Sequence, residues 1–252
     1  MNKLSQNIIN AFNVQRKGSE DLVILEGLHA VKHAIRFGAK FEDIYLFDEY
    51  KTLDIAKKFL VEREFLFLKN KHILITEKCF SKIAPNALRT GIVARAYRKE
   101  FDLKIVKNDN RFLVVLEDPR DLGNVGAVVR AGAARGVAGI VVISSKLNPW
   151  HVNAIRGSAG LHFVQPVFSY DSLNGLLKDF SDREFIVASD EGFSIYDVSL
   201  DEKSILLFGS ERSGVKETTK LRADKIVSLP MQEGVSSMNL ATSVSAFLYA
   251  KR

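Results

Sequence analysis

The sequence predicts an α/β protein in two parts, a small alternating unit followed by a larger unit built on parallel strands. Three observations carry this. Apolar runs of strand length alternate with stretches of helical period. The charged, turn-forming stretch RKEFDLKIVKNDN, residues 98–110, interrupts them and reads as a linker. Charge also differs across that break: residues 1–107 carry 20 Lys+Arg against 13 Asp+Glu, residues 108–252 only 16 against 17.

Residues 1–19 have Lys3, Arg16 and Lys17 and no acid, and they read as a helix or arm. Leu22 to Leu25 is a short apolar run. Glu26 to Ala39 follows with Leu28, Val31, Ala34, Ile35 and Phe37 on one helical face, ending at Gly38. Ile44 to Phe47 reads as strand, Thr52 to Val61 as helix, and Ile73 to Ile75 and Gly91 to Ala96 as strands. Residues 1–97 thus form the first unit.

The second unit, residues 111–252, opens with the all-apolar Phe112 to Leu116, the pattern of a strand buried on both faces. A loop rich in Asp, Pro and Gly leads into a helix from about Gly126 to Arg135. Gly139 to Ser144, Phe185 to Ala188, Ile205 to Phe208 and Ile226 to Leu229 read as further strands, and Met238 to Tyr249 as the closing helix. On a doubly wound sheet, ligands bind at the carboxyl ends of the strands, and the unusual residues collect at those ends.

Of the 252 residues, 46% are hydrophobic, enough for a buried core, and the net charge of +6 suggests an anionic partner. That excess lies wholly in the first unit, which is the part expected to meet phosphates. A single cysteine, Cys79, excludes a disulfide framework and a cysteine zinc cluster and points to a reducing, cytoplasmic setting. No apolar run approaches the roughly 20 residues of a membrane-spanning helix. His29 and His33, spaced i, i+4 after Glu26, read as a solvated helix face, so no metal is expected.

Three constellations could carry chemistry. In EDPRDLGNVGAVVRAGAARG, Glu117 to Gly136, a strand ends in a Gly/Asn loop and the helix after it presents Arg130. Its glycines could simply shape a turn, and their spacing meets neither the dinucleotide nor the Walker A pattern. In LFGSERSGV, Leu207 to Val215, a strand breaks into Gly209, Ser210, Glu211 and Gly214; alone, this reads equally as a surface turn. In LPMQEGVSSMNLATSVSAFLYA, Leu229 to Ala250, Ser236, Ser237 and Asn239 stand at the mouth of a helix beside Met231 and Met238. Any one of the three polar residues is an ordinary N-cap.

In this order, the three segments resemble the signature motifs of the SpoU/TrmH family of RNA ribose methyltransferases. NPWHVNAIRGSAGLHFVQPV, between the first two, resembles the family's proline then arginine-serine-glycine stretch, with Pro149, Arg156, Ser158 and Gly160 in register. ILEGLHAVKHAIRFG and LRTGIVARAY resemble the substrate-binding domain that precedes the catalytic domain in many members and has an L30e-like fold.

The resemblance implies a trefoil-knotted (SPOUT) catalytic domain, a homodimer, and S-adenosylmethionine bent against the knot loops. Gly209, Ser210, Leu229, Met231 and Met238 are the positions it assigns to the cofactor, Met238 standing where the family usually has Leu. Arg130 matches the catalytic arginine, Asn124 the residue that positions it, Glu211 the acid of the second motif, and Ser237 and Asn239 the polar pair of the third. Arg156, Ser158 and Arg89 fall to substrate RNA. A guanidinium stays protonated in proteins, so Arg130 is better suited to hold a phosphate and favour a developing alkoxide than to act as a base. The family's dimers bury the closing helix, and Leu240, Val244, Phe247 and Leu248 offer an apolar face that would serve a partner or the chain's own core. Large-subunit (23S) ribosomal RNA is the expected substrate, with transfer RNA as the alternative. A non-catalytic RNA-binding protein would have lost the polar motif residues, and a nicotinamide enzyme would need a different glycine spacing.

Overall fold

A computed structural model describes residues 3–16, 21–235 and 237–250. Residues 1–2 and 17–19 of the expected arm, and Ser236 of the third constellation, lie outside them. In chain order the elements begin α1 (Lys3–Arg16), β1 (Leu22–Glu26), α2 (Leu28–Arg36), β2 (Phe41–Leu46), α3 (Glu49–Lys57), α4 (Glu62–Lys71), β3 (His72–Leu74), α5 (Glu77–Ile83) and β4 (Ile92–Tyr97). They continue with α6 (Leu103–Lys107), β5 (Leu113–Glu117), α7 (Leu122–Arg135), β6 (Gly139–Ile143), α8 (Val152–Gly157), β7 (Val167–Tyr170), α9 (Leu173–Asp179), β8 (Phe185–Ser194), β9 (Ile205–Phe208), α10 (Glu217–Lys220), β10 (Lys225–Ser228) and α11 (Leu240–Ala250). Among the described residues, no helix is long and apolar enough to cross a membrane.

The chain divides into two compact units. One comprises the residues up to Glu100 together with Trp150–Phe163, the other Phe101–Pro149 and everything from Val164 onward. The first is built on a four-stranded sheet of order β1-β4-β2-β3, in which only β2 and β3 run parallel. α1 is amphipathic, and its Ile8, Ile9 and Phe12 enter one core with Ile24, Tyr45, Phe80 and Val93.

Trp150–Phe163 requires a correction. The sequence assigned this stretch to the catalytic part, but it packs within the N-terminal unit, where Val152 joins the same core. Gly160, at φ +81°, lies so close to α2 that a Cβ would stand 2.5 Å from the Ala30 carbonyl oxygen. The His33 ring meets the Ala159 carbonyl through Nδ1 at 2.7 Å. Only glycine tolerates both the positive φ and the contact.

The second unit is a six-stranded, wholly parallel sheet of order β10-β8-β9-β5-β6-β7. β5 pairs with β6 on one side and β9 on the other, and all five of its residues are buried, as its unbroken apolar run requires. Leu113, Val115, Val141, Val187, Ile205 and Leu207 form the core on one face. α7 starts four residues earlier than its apolar pattern suggests, because the Asp121 carboxylate accepts from Gly123 N at 2.5 Å and Asn124 N at 3.0 Å and caps it. It ends where Gly136 turns left-handed at φ 76°.

One further expectation changes, and one open alternative is decided. The linker stretch contains α6, capped by Asp102 and with Val106 buried. Arg183 holds that segment down by donating to the carbonyls of Arg111 at 2.7 Å, Val106 at 3.1 Å and Asp109. The apolar face of α11 serves the chain's own core: Leu240, Val244, Phe247 and Leu248 are buried, α11 packs on α7, and Phe247 meets Phe208 edge-on at 5.2 Å.

Candidate active site

The site forms where β9 ends. Gly209 is the only residue its position admits, because a Cβ there would lie 2.1 Å from the Gly214 carbonyl carbon. Ser210 N donates to Gly214 O at 3.0 Å and Gly214 N to Ser210 O at 2.9 Å, closing a small loop that carries Glu211. This loop, Ala188 to Glu191 within β8, Leu229 and Met231 after β10, and residues from Ser237 to Phe247 enclose a cavity of ≈ 510 Å³. Phe208, Val215, Leu229, Met231, Leu240 and Phe247 supply apolar wall, and Asp190, Glu191, Glu211, Glu217, Arg212 and Lys220 bring charge to it. Pockets of this size and mixed lining suit a nucleoside-sized ligand.

Beside the cavity runs a directed hydrogen-bond chain. Asn239 Oδ1 caps α11 by accepting from Ala241 N at 2.9 Å and Thr242 N at 3.3 Å, which leaves its amide nitrogen to donate to Asn124 Oδ1 at 2.9 Å. Asn124 Nδ2 in turn donates to Glu211 Oε1 at 2.9 Å, and Arg120 N donates to Oε2 at 3.0 Å. Burial pushes the Glu211 carboxyl up, but the hydrogen bonds from Asn124 and from backbone N–H groups outweigh it and hold the group below the usual carboxylate range. Glu211 is therefore an ionised acceptor whose oxygens are fixed by one segment distant in sequence, residues 120–124, with Asn239 linked to it through Asn124.

One buried carboxylate braces the floor from beneath. Glu117, at the end of β5, accepts from Thr219 Oγ1 at 2.7 Å and from Lys216 N at 3.3 Å, fixing the start of α10. Lys216 Nζ reaches Asp118 at 2.5 Å, and Asp118 itself adopts the uncommon φ of 48°.

Gly209, Ser210, Leu229, Met231 and Met238 all line the cavity, as do Glu211 and Ser237. Asn124 and Asn239 join them through the hydrogen-bond chain. Arg130 does not: it is exposed on α7, it is absent from the lining, and among the described residues it makes no hydrogen bond or ion pair. Arg89, Arg156 and Ser158 belong to the N-terminal unit. Arg89 is exposed, and Arg156 pairs with the buried Glu26 at 3.3 Å. Ser158 is fully buried, and its hydroxyl lies 2.7 Å from His162 Nδ1, so direct contact with RNA is replaced by bracing of its own loop. Sequence reasoning missed Asp190, Glu191, Glu217 and Lys220. The rule that ligands gather at strand carboxyl ends would have flagged the first two, which come just after Ser189 at the end of the expected strand Phe185 to Ala188, although β8 itself runs on to Ser194.

Fold and site together define an α/β enzyme that takes a small ligand at the carboxyl edge of a parallel sheet. Residues 111–249 match the SpoU rRNA Methylase family, and the chain belongs to that family of RNA methyltransferases. It is similar to the 23S rRNA (adenosine(1067)-2'-O)-methyltransferase of Streptomyces laurentii, with 27% identity over 236 residues, 91% of this chain and 85% of the relative. It is also similar to the 23S rRNA (guanosine-2'-O-)-methyltransferase RlmB of Escherichia coli, with 23% identity over 90% of this chain and 96% of the relative. Among solved structures, the SpoU methyltransferase AviRb of Streptomyces viridochromogenes in complex with AdoMet superposes with a TM-score of 0.80 over 99% of this chain and 96% of that one, at 19% identity. That likeness concerns the fold.

Proposed function

We propose that this protein transfers a methyl group from S-adenosylmethionine to a ribose 2′-hydroxyl of large-subunit ribosomal RNA. The observation that carries the reading is the cavity itself: it has nucleoside size, its wall is apolar on one part and charged on another, and the Ser210 hydroxyl on it is buried without a hydrogen-bond partner among the described residues. A buried hydroxyl left open in this way fits a polar ligand. Leu229, Met231 and Met238 would enclose the adenine, with backbone groups from Gly209 onward fixing it. The bound cofactor supplies an activated methyl group, and the 2′-oxygen must approach it in line.

Arg130 holds the phosphate next to the target ribose, and its fixed positive charge favours the alkoxide that develops as the hydroxyl proton leaves. The chain Asn239, Asn124, Glu211 keeps the loops of the three motifs in one arrangement, and Ser237 stands at its edge. The basic N-terminal unit, which we read as L30e-like, binds the RNA. The closing segments are threaded as the family's trefoil knot. The reaction takes place in the cytoplasm, in keeping with a buried, free Cys79. The protein works as a homodimer through surfaces other than the buried face of α11, and sedimentation showing only monomer at micromolar concentration would overturn that part.

Mapping ribose methylation across total RNA, with and without the gene, tests the whole reading. The expected result is the loss of one 2′-O-methyl mark in 23S rRNA. Loss of a transfer RNA mark moves the target to that class, and loss of no mark at all overturns the proposal.

A further inference from the structure

The cavity holds an ion cluster that none of the three motifs announces. Lys220 ends α10, and its ammonium lies 2.9 Å from Glu191 Oε2 and 2.9 Å from Glu217 Oε1. The lysine side chain is only 12% exposed, whereas those of Glu191 and Glu217 are 69% and 79% exposed. All three line the cavity, together with Asp190, Arg212 and Ser210.

This arrangement is asymmetric. The cation is fixed inside the cavity, and its carboxylates reach it from solvent. The hydrogen bonds from Lys220 to Glu191 and Glu217 push its pKa up to about 12, so it stays charged. Stripping both carboxylates from an enclosed ammonium is costly. Exchanging one carboxylate for another is not, because an ion pair with a solvent-exposed glutamate is weak in itself. The lining as a whole carries four carboxylates, Glu211 included, against two cations. It is therefore suited to a ligand that brings one carboxylate and an excess of positive charge.

A second observation points the same way. Ser210 is 6% exposed, and its hydroxyl on this cavity has no partner among the described residues. Native structures seldom leave such a group unsatisfied, so a polar ligand atom belongs beside it.

We propose that Lys220 receives the α-carboxylate of the amino-acid end of S-adenosylmethionine, that the displaced Glu191 takes its α-ammonium, and that Ser210 completes the polar contacts. The exchange conserves charge: one carboxylate leaves the lysine as another arrives, and the freed glutamate gains an ammonium of its own. The inference rests on the reading that this cavity takes S-adenosylmethionine.

Calorimetry on the full chain separates the two. S-adenosylhomocysteine and 5′-methylthioadenosine are both neutral at sulfur and share the nucleoside, and only the first carries the amino-acid end. The wild type should bind S-adenosylhomocysteine more tightly. Lys220→Met should weaken that ligand about tenfold, the loss expected for one charge-assisted contact, and leave 5′-methylthioadenosine within about twofold of its wild-type affinity. Glu191→Gln, a gentler change, should narrow the preference in the same direction. If both ligands weaken equally, Lys220 only shapes the cavity and the proposal fails. It also fails if neither ligand weakens. If the wild type binds neither compound, the underlying reading of the cavity falls with it.

Discussion

Arg130 shows how a residue can matter to chemistry while contributing nothing to the fold. It is exposed, and among the described residues no carboxylate or carbonyl holds it. Truncating it removes no packing and strands no buried group, so Arg130→Ala should change stability by no more than about 0.5 kcal/mol. That corresponds to a melting temperature within about 2 °C of wild type. Cofactor affinity should also be unchanged, because the side chain is absent from the cavity lining. Methyl transfer should fall about a hundredfold or more if the guanidinium stabilises the developing alkoxide. Single-turnover transfer to RNA measures this, and a wild-type rate in the variant would remove Arg130 from the mechanism. Ser158 is the opposite case. Its place in a motif suggested RNA contact, but it is fully buried and tied to His162. The sequence shows that a serine stands there and cannot show which way it faces.

The same limit operates on elements. Unbroken apolar runs made β5, β6 and β9 legible, because a central parallel strand must be apolar on both faces. β7 and α9 escaped notice because Val167–Tyr170 has only one buried residue and Leu173–Asp179 has only Leu176. In the sequence α6 reads as linker because its five residues are too few to display a period, although Asp102 caps it. The apolar face of α11 was legible as a face but not as to its partner. Hydrophobic period says that a surface is covered, and packing on α7 decided that the chain itself covers it. At the site, the motif residues were legible through the family resemblance of three segments in order, since each segment alone reads equally as a turn or an N-cap. Lys220 and its two glutamates were not, since a lone i, i+3 pair on α10 carries no signal and only the fold brings Glu191, within β8, to the same lysine.

On the scale of the whole chain, the two units divide charge as the sequence suggested, and one segment crosses the division. Trp150–Phe163 leaves the catalytic sequence to pack in the N-terminal unit, so Arg156 stands there with Arg89. The two arginines are not equivalent. Arg156 is paired with Glu26, which also accepts from Asn86 at 3.2 Å and pairs with Arg16, so removing it would disturb a buried carboxylate. Arg89 is exposed and, among the described residues, has no hydrogen bond or ion pair. Its loss reports on RNA alone. If the positive excess of the first unit neutralises phosphates, RNA affinity of the full chain should fall linearly on a log–log plot against salt, because each contact releases counterions. Arg89→Ala should then weaken binding at low salt and lower the slope by about one, while S-adenosylhomocysteine titrates as in wild type. A variant with an unchanged slope would mean that this arginine faces away from the RNA and that the basic unit grips it by another surface.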